Sequence, residues 1–343
     1  MQLLLSDKAR KYNRALDYSK VPAFFLPKLT KVCHINFFGG EPLLSFELIK
    51  KTVSFLNKEN KRFKKDIKYS ITTNGSLITE KIIDFFNDYK FSAVLSFDGL
   101  AQDITREKGS SKRIVQIIRK LVNRPKIYFE TNSVFTPETL DFLSESIKLI
   151  IDLGVKNANF SLFSLEPWNK YALDKLENEL RKLRIILLDN YKKERTIPVV
   201  NFRTRHGKGI FFCAAGKDRL TITPEGEIWG CYMFPDYFRG REKNREFQEY
   251  CFGPIDRFIE NHKKIYPMVL SNYDALSMDN FSSNSMPCFI CPELEDCAVC
   301  PIVVSFSGGS IGQIPNHVCE IQKIKNRQIR EFREDISRLI QCP

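Results

Sequence analysis

From residue 32 onward the hydrophobic positions alternate between two rhythms. Residues 32–38 are an apolar run closed by Gly39-Gly40, and Phe46, Ile49, Val53 and Leu56 then recur at helical spacing through residues 45–57. This pattern predicts a strand, a tight loop and a helix. The same unit returns three times, with strands over residues 67–73, 93–97 and 127–134 and helices over 79–88, 112–121 and 138–153. A fifth strand is expected over residues 158–163, followed by a long helix over 170–193. Residues 1–20 are polar with scattered leucines and read as weakly helical.

Strands and helices that alternate for about 170 residues imply right-handed βαβ units and a parallel sheet, open or curled into a barrel. In such folds ligands bind at the C-terminal ends of the strands. Three of those ends carry polar or glycine-rich turns: Gly39-Gly40-Glu41-Pro42, Thr72-Thr73-Asn74-Gly75 and Ser96-Phe97-Asp98-Gly99. Three such turns along one edge form a candidate ligand site.

Near residue 200 the pattern changes: helical periodicity fades, and nine of the ten cysteines fall between Cys213 and Cys342. The expected organisation is an α/β domain over residues 1–200, a cysteine-rich domain over 201–323 and a closing helical segment over 324–343. Residues 220–231 read as a β-hairpin turning at Pro224-Glu225-Gly226.

Composition narrows the class. With 343 residues and 43% hydrophobic content, the chain can bury a full core without disulfide staples. Only three consecutive leucines precede the first charges, and no stretch nears the roughly 18 apolar residues of a membrane span. No signal peptide is visible, so the expected location is the reducing cytoplasm, where thiols are available to metal. The net charge of +12 is spread over helix faces such as Lys50, Lys51, Lys58 and Lys61 rather than gathered in a stripe, which argues against a nucleic-acid partner.

The densest chemistry lies in residues 288–300, where Cys288, Cys291, Cys297 and Cys300 occupy four of thirteen positions. Two CxxC pairs this close favour metal over disulfides, which would be strained and would constrain little. Cys213 and Cys231 precede them and Cys319 follows, giving seven cysteines in the order C-x12-G-x4-C, C-x2-C-x5-C-x2-C, C. Seven exceed one tetrahedral site but suit one complete four-thiolate centre and a second lacking one protein ligand. Zinc is the alternative, since paired CxxC motifs also mark zinc ribbons, and would make this a structural or nucleic-acid-binding module. Cys251 is the spare thiol nearest the incomplete centre, Cys342 belongs to neither, and Cys33 reads as a small core residue.

This array resembles the radical S-adenosylmethionine (SAM) enzymes that carry a C-terminal SPASM domain, a family that includes peptide and protein maturases. The resemblance implies two auxiliary [4Fe-4S] clusters, one held by Cys288, Cys291, Cys297 and Cys319 and the other by Cys213, Cys231 and Cys300. The family usually has three residues where Cys297 and Cys300 are separated by two. The segment Phe37-Phe38-Gly39-Gly40-Glu41-Pro42-Leu43-Leu44 resembles the family's GGEP motif, whose loop approaches the methionyl amino group of SAM. Paired glycines let the backbone come close to a ligand, Glu41 offers a carboxylate to an ammonium and Pro42 stiffens the turn. By the same resemblance Asn74 and Ser96 lie at SAM-facing strand ends, and Arg106 meets the SAM carboxylate.

Two departures stand out. Residues 1–212 contain one cysteine, Cys33, and no CxxxCxxC, the loop that in this family follows the first strand and holds the radical-generating cluster. Five strands are counted where the family has six βα units, so the expected fold is a partial (β/α)6 TIM-like barrel missing its first βα unit, followed by a SPASM domain. Cys231 is followed by Tyr232, a poor general base near pH 7, where sulfatase-maturing members place Asp. The expected function is a peptide or protein maturase with a peptide substrate and an electron donor as partners. The rival is a non-catalytic Fe–S scaffold or peptide-binding partner. No catalytic residue is assigned.

Overall fold

The computed structural model describes residues 2–5, 20–203, 213–276, 281–283, 286–308 and 311–341. The chain begins with β1 (Gln2–Leu5), α1 (Lys20–Phe25), β2 (Val32–Gly39), α2 (Phe46–Phe63), β3 (Asp66–Thr73) and α3 (Glu80–Asp88). It continues through β4 (Ser92–Ser96), α4 (Gln102–Thr105), α5 (Ser110–Leu121), β5 (Tyr128–Phe135), α6 (Leu143–Asp152), β6 (Ala158–Leu162) and α7 (Lys170–Glu194). After residue 213 come β7 (Thr221–Ile222), β8 (Glu227–Trp229), α8 (Met233–Phe238), α9 (Arg245–Tyr250), β9 (Cys251–Pro254) and α10 (Ile255–Asp274). The last elements are β10 (Ser282–Ser283), α11 (Pro301–Gly308), β11 (Gln313–Ile314) and α12 (Asn316–Gln341).

These elements form two units that interleave in sequence. One comprises Met1–Val94, Pro125–Tyr128 and Ala214–Ala275, and the other comprises Leu95–Arg124, Phe129–Cys213 and Leu276–Pro343. In the first unit the strand order is β3-β2-β1-β7-β8-β9, parallel from β3 to β7 and antiparallel from β7 to β9. Alternate residues of β2 point inward, burying Cys33, Ile35 and Phe37, as the period of 2 requires. Ile49, Val53 and Leu56 of α2 supply one buried helix face, and Ile82, Ile83 and Phe86 of α3 another. The hairpin forms where the sequence places it, with Thr221 opposite Trp229 and Ile222 opposite Ile228.

Residues 2–5 differ from expectation. They are extended rather than helical, and Leu3, Leu4 and Leu5 pair in parallel with Phe37, Phe38 and Gly39 of β2. Four residues are too few to show a period, so this strand adds to the five that the pattern predicts. Residues 6–19, read as weakly helical from the sequence, lie outside the described residues.

In the second unit β5 and β6 are parallel, from Thr131 opposite Ala158 to Phe135 opposite Leu162. Leu176, Leu180, Leu183 and Leu187 of α7 are buried along one face, and Arg327 of α12 pairs with Glu177 of α7 at 2.7 Å. Among the described residues the strands of neither unit close into a ring. Among the described residues no helix is long and apolar enough to cross a membrane.

Candidate functional site

In the first unit the glycine-rich turn stands at the C-terminal end of β2. Gly39 takes φ +149°, and a Cβ built on Gly40 would meet no atom within 4 Å, so the backbone there borders open space. Pro42 opens the short 3-10 turn that follows, where its fixed φ suits the first position. Glu41 is buried, and its carboxylate ties this turn to the end of β3. Oε1 accepts from Thr73 Oγ1 (2.8 Å) and from Leu43 N (3.0 Å), and Oε2 accepts from Asn74 N (2.8 Å). A carboxylate offers about four acceptor sites, so three are used on the fold itself. Asn74 is held in turn, its Oδ1 accepting from Ser76 N at 2.8 Å. The Phe38 and Tyr232 rings lie 4.6 Å apart, which brings the residue after Cys231 against the strand that carries Gly39 and Gly40.

Cys231 follows the β7–β8 hairpin. Tyr273 of α10 fixes its approach by accepting from Gly230 N (2.8 Å) and donating to Tyr250 O (2.6 Å). Nothing in the sequence marked Tyr273, which is 43 positions from the backbone it holds. Cys251 sits in β9, where Gly253 N donates to its sulfur at 3.3 Å and burial pushes the thiol up to about 12.

In the second unit Ser96 ends β4 half-buried, and Asp98 follows it deep in the protein. Asp98 accepts from Thr105 Oγ1 (2.7 Å), from Val134 N (2.8 Å) and from Arg106 through Nε (2.7 Å) and Nη2 (3.4 Å). Arg106 is therefore forked onto a buried carboxylate. Gly99, at φ +62°, lies so close to α6 that an added Cβ would fall 2.3 Å from Ser146 Cβ. Only glycine fits there, and Leu100 N then donates to Ser146 Oγ at 3.0 Å.

Four of the seven predicted thiols come together. Cys288, Cys291, Cys297 and Cys319 line one cavity in the second unit, walled by Leu294, Val299 and Ile314. Burial pushes the Cys288 thiol up to about 11, and the nearby Cys319, Cys297 and Cys291 push it in the same direction. Burial also leads the upward shift of Cys297 and Cys319; the Ser283 hydroxyl, 3.4 Å from the Cys319 sulfur, opposes it. Among the described residues no three His, Cys, Asp or Glu side chains are placed to hold one metal ion.

The loop that carries Cys291 and Cys297 is pinned by Glu293, which no local pattern in the sequence marks. Glu293 accepts from Arg330 Nη1 (2.7 Å) and Nη2 (2.9 Å) and from Asn326 Nδ2 (2.7 Å), all from α12. Cys319 lies in the first turn of the same helix, so α12 supplies one thiol and orients the loop bearing two others. The remaining trio is divided: Cys213 and Cys300 belong to the second unit and Cys231 to the first. None of the nine described cysteines is in a disulfide, and Cys342 lies outside the described residues.

Residues 27–141 match the radical SAM superfamily. The chain is 31% identical over 229 residues to the uncharacterized protein MJ0907 of Methanocaldococcus jannaschii, covering 64% of this chain and 77% of that one. It is 26% identical over 339 residues to the radical SAM cyclopropyl synthase TigE of Paramaledivibacter caminithermalis, covering 94% of this chain and 66% of that relative. Among solved structures, native anSMEcpe with bound AdoMet and Kp18Cys peptide shares the fold, with TM-score 0.71 and 18% identity over 94% of this chain and 91% of that one.

Proposed function

Because the chain belongs to the radical SAM superfamily, we propose that it is a SPASM-type protein acting in peptide or protein maturation and carrying two auxiliary [4Fe-4S] clusters. The observation that carries this reading is the cavity lined by Cys288, Cys291, Cys297 and Cys319. Those four would hold one cluster, and its apolar walls would keep water from the sulfurs. Cys213, Cys231 and Cys300 would hold the other, with residues 201–323 as the cluster-bearing domain. Bound clusters of this kind supply electron transfer or a substrate-binding iron.

The strand-end turns support a SAM site. Open space at Gly40 admits a ligand against the backbone, and Glu41 keeps about one acceptor site for an ammonium beyond the three it uses. Asn74 is oriented by its own turn, and Ser96 ends β4 at a neighbouring position in the sequence pattern. Arg106 could reach a carboxylate only with the guanidinium N–H groups that Asp98 leaves unused. A peptide partner is the reading that the peptide-bound anSMEcpe structure supports. An external electron donor and a reducing, cytoplasmic setting complete the proposal, in keeping with nine described cysteines outside any disulfide.

One observation favours the non-catalytic reading, an Fe–S scaffold or peptide-binding partner. β1 runs parallel to β2, and residues 6–31 between these strands contain no cysteine, where the family places CxxxCxxC after the first strand. Two measurements separate the readings. After anaerobic reconstitution, iron and sulfide analysis should give about eight irons per chain, from four per cluster; stoichiometric zinc without iron would exclude the cluster reading. Given SAM and a strong reductant, formation of 5′-deoxyadenosine would identify an enzyme, and full iron loading without it would identify the scaffold.

A further inference from the structure

The first unit holds a large cavity, of about 700 Å³, at the opposite end of β2 from the glycine-rich turn. Val32, Cys33 and His34 border it at the start of the strand. Gly40 lies seven residues further on, roughly 23 Å along an extended strand. Its walls come from α1, the turn after it, α10 and the loop over residues 217–220. The floor is aromatic: Phe25 and Phe258 stack with centroids 6.0 Å apart, and Phe24 meets His262 edge-on at 5.0 Å.

The rim is cationic. Lys28, Lys217, Arg219 and Lys263 line the cavity against a single acid, Asp218. Two of these cations are already committed: Lys28 Nζ lies 3.7 Å over the Phe24 ring, and Lys217 pairs with Asp274 at 2.9 Å. Arg219 and Lys263 are exposed and make no ion pair among the described residues. An apolar well of this volume, within the usual 300–1,000 Å³ of small-ligand sites, beside two available cations is complementary to one chemical type.

We infer that this cavity binds an amphipathic carboxylate, with an aromatic or aliphatic body on the Phe25–Phe258 floor and its anionic head at Arg219 and Lys263. Burial of the body supplies most of the affinity, and the cations select acids over alcohols and amines. The site owes nothing to cluster or SAM chemistry, so its success or failure is separate from that of the maturase reading.

The test uses the full chain and two fluorescent probes of similar size, 2-naphthylacetate and the uncharged 2-(2-naphthyl)ethanol, followed by equilibrium titration. Naphthylacetate should saturate at one per chain and bind roughly tenfold more tightly than the alcohol. The double reversal Arg219→Glu with Lys263→Glu, on exposed side chains the fold does not use, should weaken naphthylacetate by roughly tenfold and leave the alcohol within about twofold. Val32→Trp, which fills the mouth from a half-exposed position, should abolish both. The inference fails if acid and alcohol bind alike, if the double reversal leaves naphthylacetate unchanged, or if neither probe saturates. Should Val32→Trp prove poorly folded, the double reversal still decides.

Discussion

Glu41 and Asp98 are both buried acids just after a parallel strand, one in each unit, and the fold treats them differently. Asp98 is closed: Thr105, Val134 and two nitrogens of Arg106 use about all four of its acceptor sites, and an opposite charge is built in. Among the described residues Glu41 is held by three neutral donors and no cation, beside a glycine that faces open space. Both acids tie one loop to another, but only Glu41 keeps capacity for an outside cation. The same residue class at the same kind of strand end is thus a structural staple in one unit and a candidate ligand group in the other.

Removing the closed acid should have the largest effect. Asp98→Ala leaves the Arg106 guanidinium and the Val134 N–H without their acceptor, and should cost about 3 kcal/mol in urea unfolding. Glu41→Gln keeps the shape but weakens the bonds to Thr73 and Asn74, and should cost about 1–2 kcal/mol in the same measurement. If the two losses were equal, the distinction between a charged and a neutral donor set would fail.

Glu130 of β5 sharpens the comparison as an acid with no hydrogen-bond donor among the described residues. Burial raises its pKa above the ordinary 4.5, and the Arg203 charge only partly opposes this. A raised folded-state value means the folded protein binds the proton more tightly, so stability falls as pH rises from about 4.5 through that value. Glu130→Gln should therefore gain under about 1 kcal/mol over the wild type at neutral pH, with no difference below about pH 4. A gain that persisted in acid would assign the effect to packing instead.

The smallest stability effect is expected at Gly40. With nothing within 4 Å of its missing Cβ, Gly40→Ala should change unfolding by no more than about 0.5 kcal/mol. The same variant should lose SAM binding in equilibrium dialysis if the open space is the ligand's. Retention of both properties would remove Gly40 from the site.

Much of the fold was legible because its signals are local. β2, β3, β4, β5 and β6 fall within a residue or two of the apolar runs, and α2, α3, α5 and α7 follow the 3.6 period. β1 escaped because three leucines carry no period, and α6 starts later than expected because a 3-10 turn over Leu140–Phe142 precedes it. The cysteines were legible by spacing, and four of them do line one cavity. Glu293, Arg330 and Tyr273 were not, since each acts on a partner far away in sequence through a single side chain.

The chain by itself determined the alternating βα plan, the turn chemistry at Gly39–Pro42 and the seven-thiol order, because each depends on residues close enough to set one another's backbone. Tertiary structure alone decided the division of labour among those parts. It gave Arg106 to Asp98, bound Glu41 to the Thr73-Asn74 turn, pinned the cysteine loop to α12 and set Phe24 and Phe25 against Phe258 to floor a second cavity. Those pairings join residues from 8 to more than 200 positions apart, and which donor meets which acceptor follows from how strands and helices pack, which no local pattern encodes.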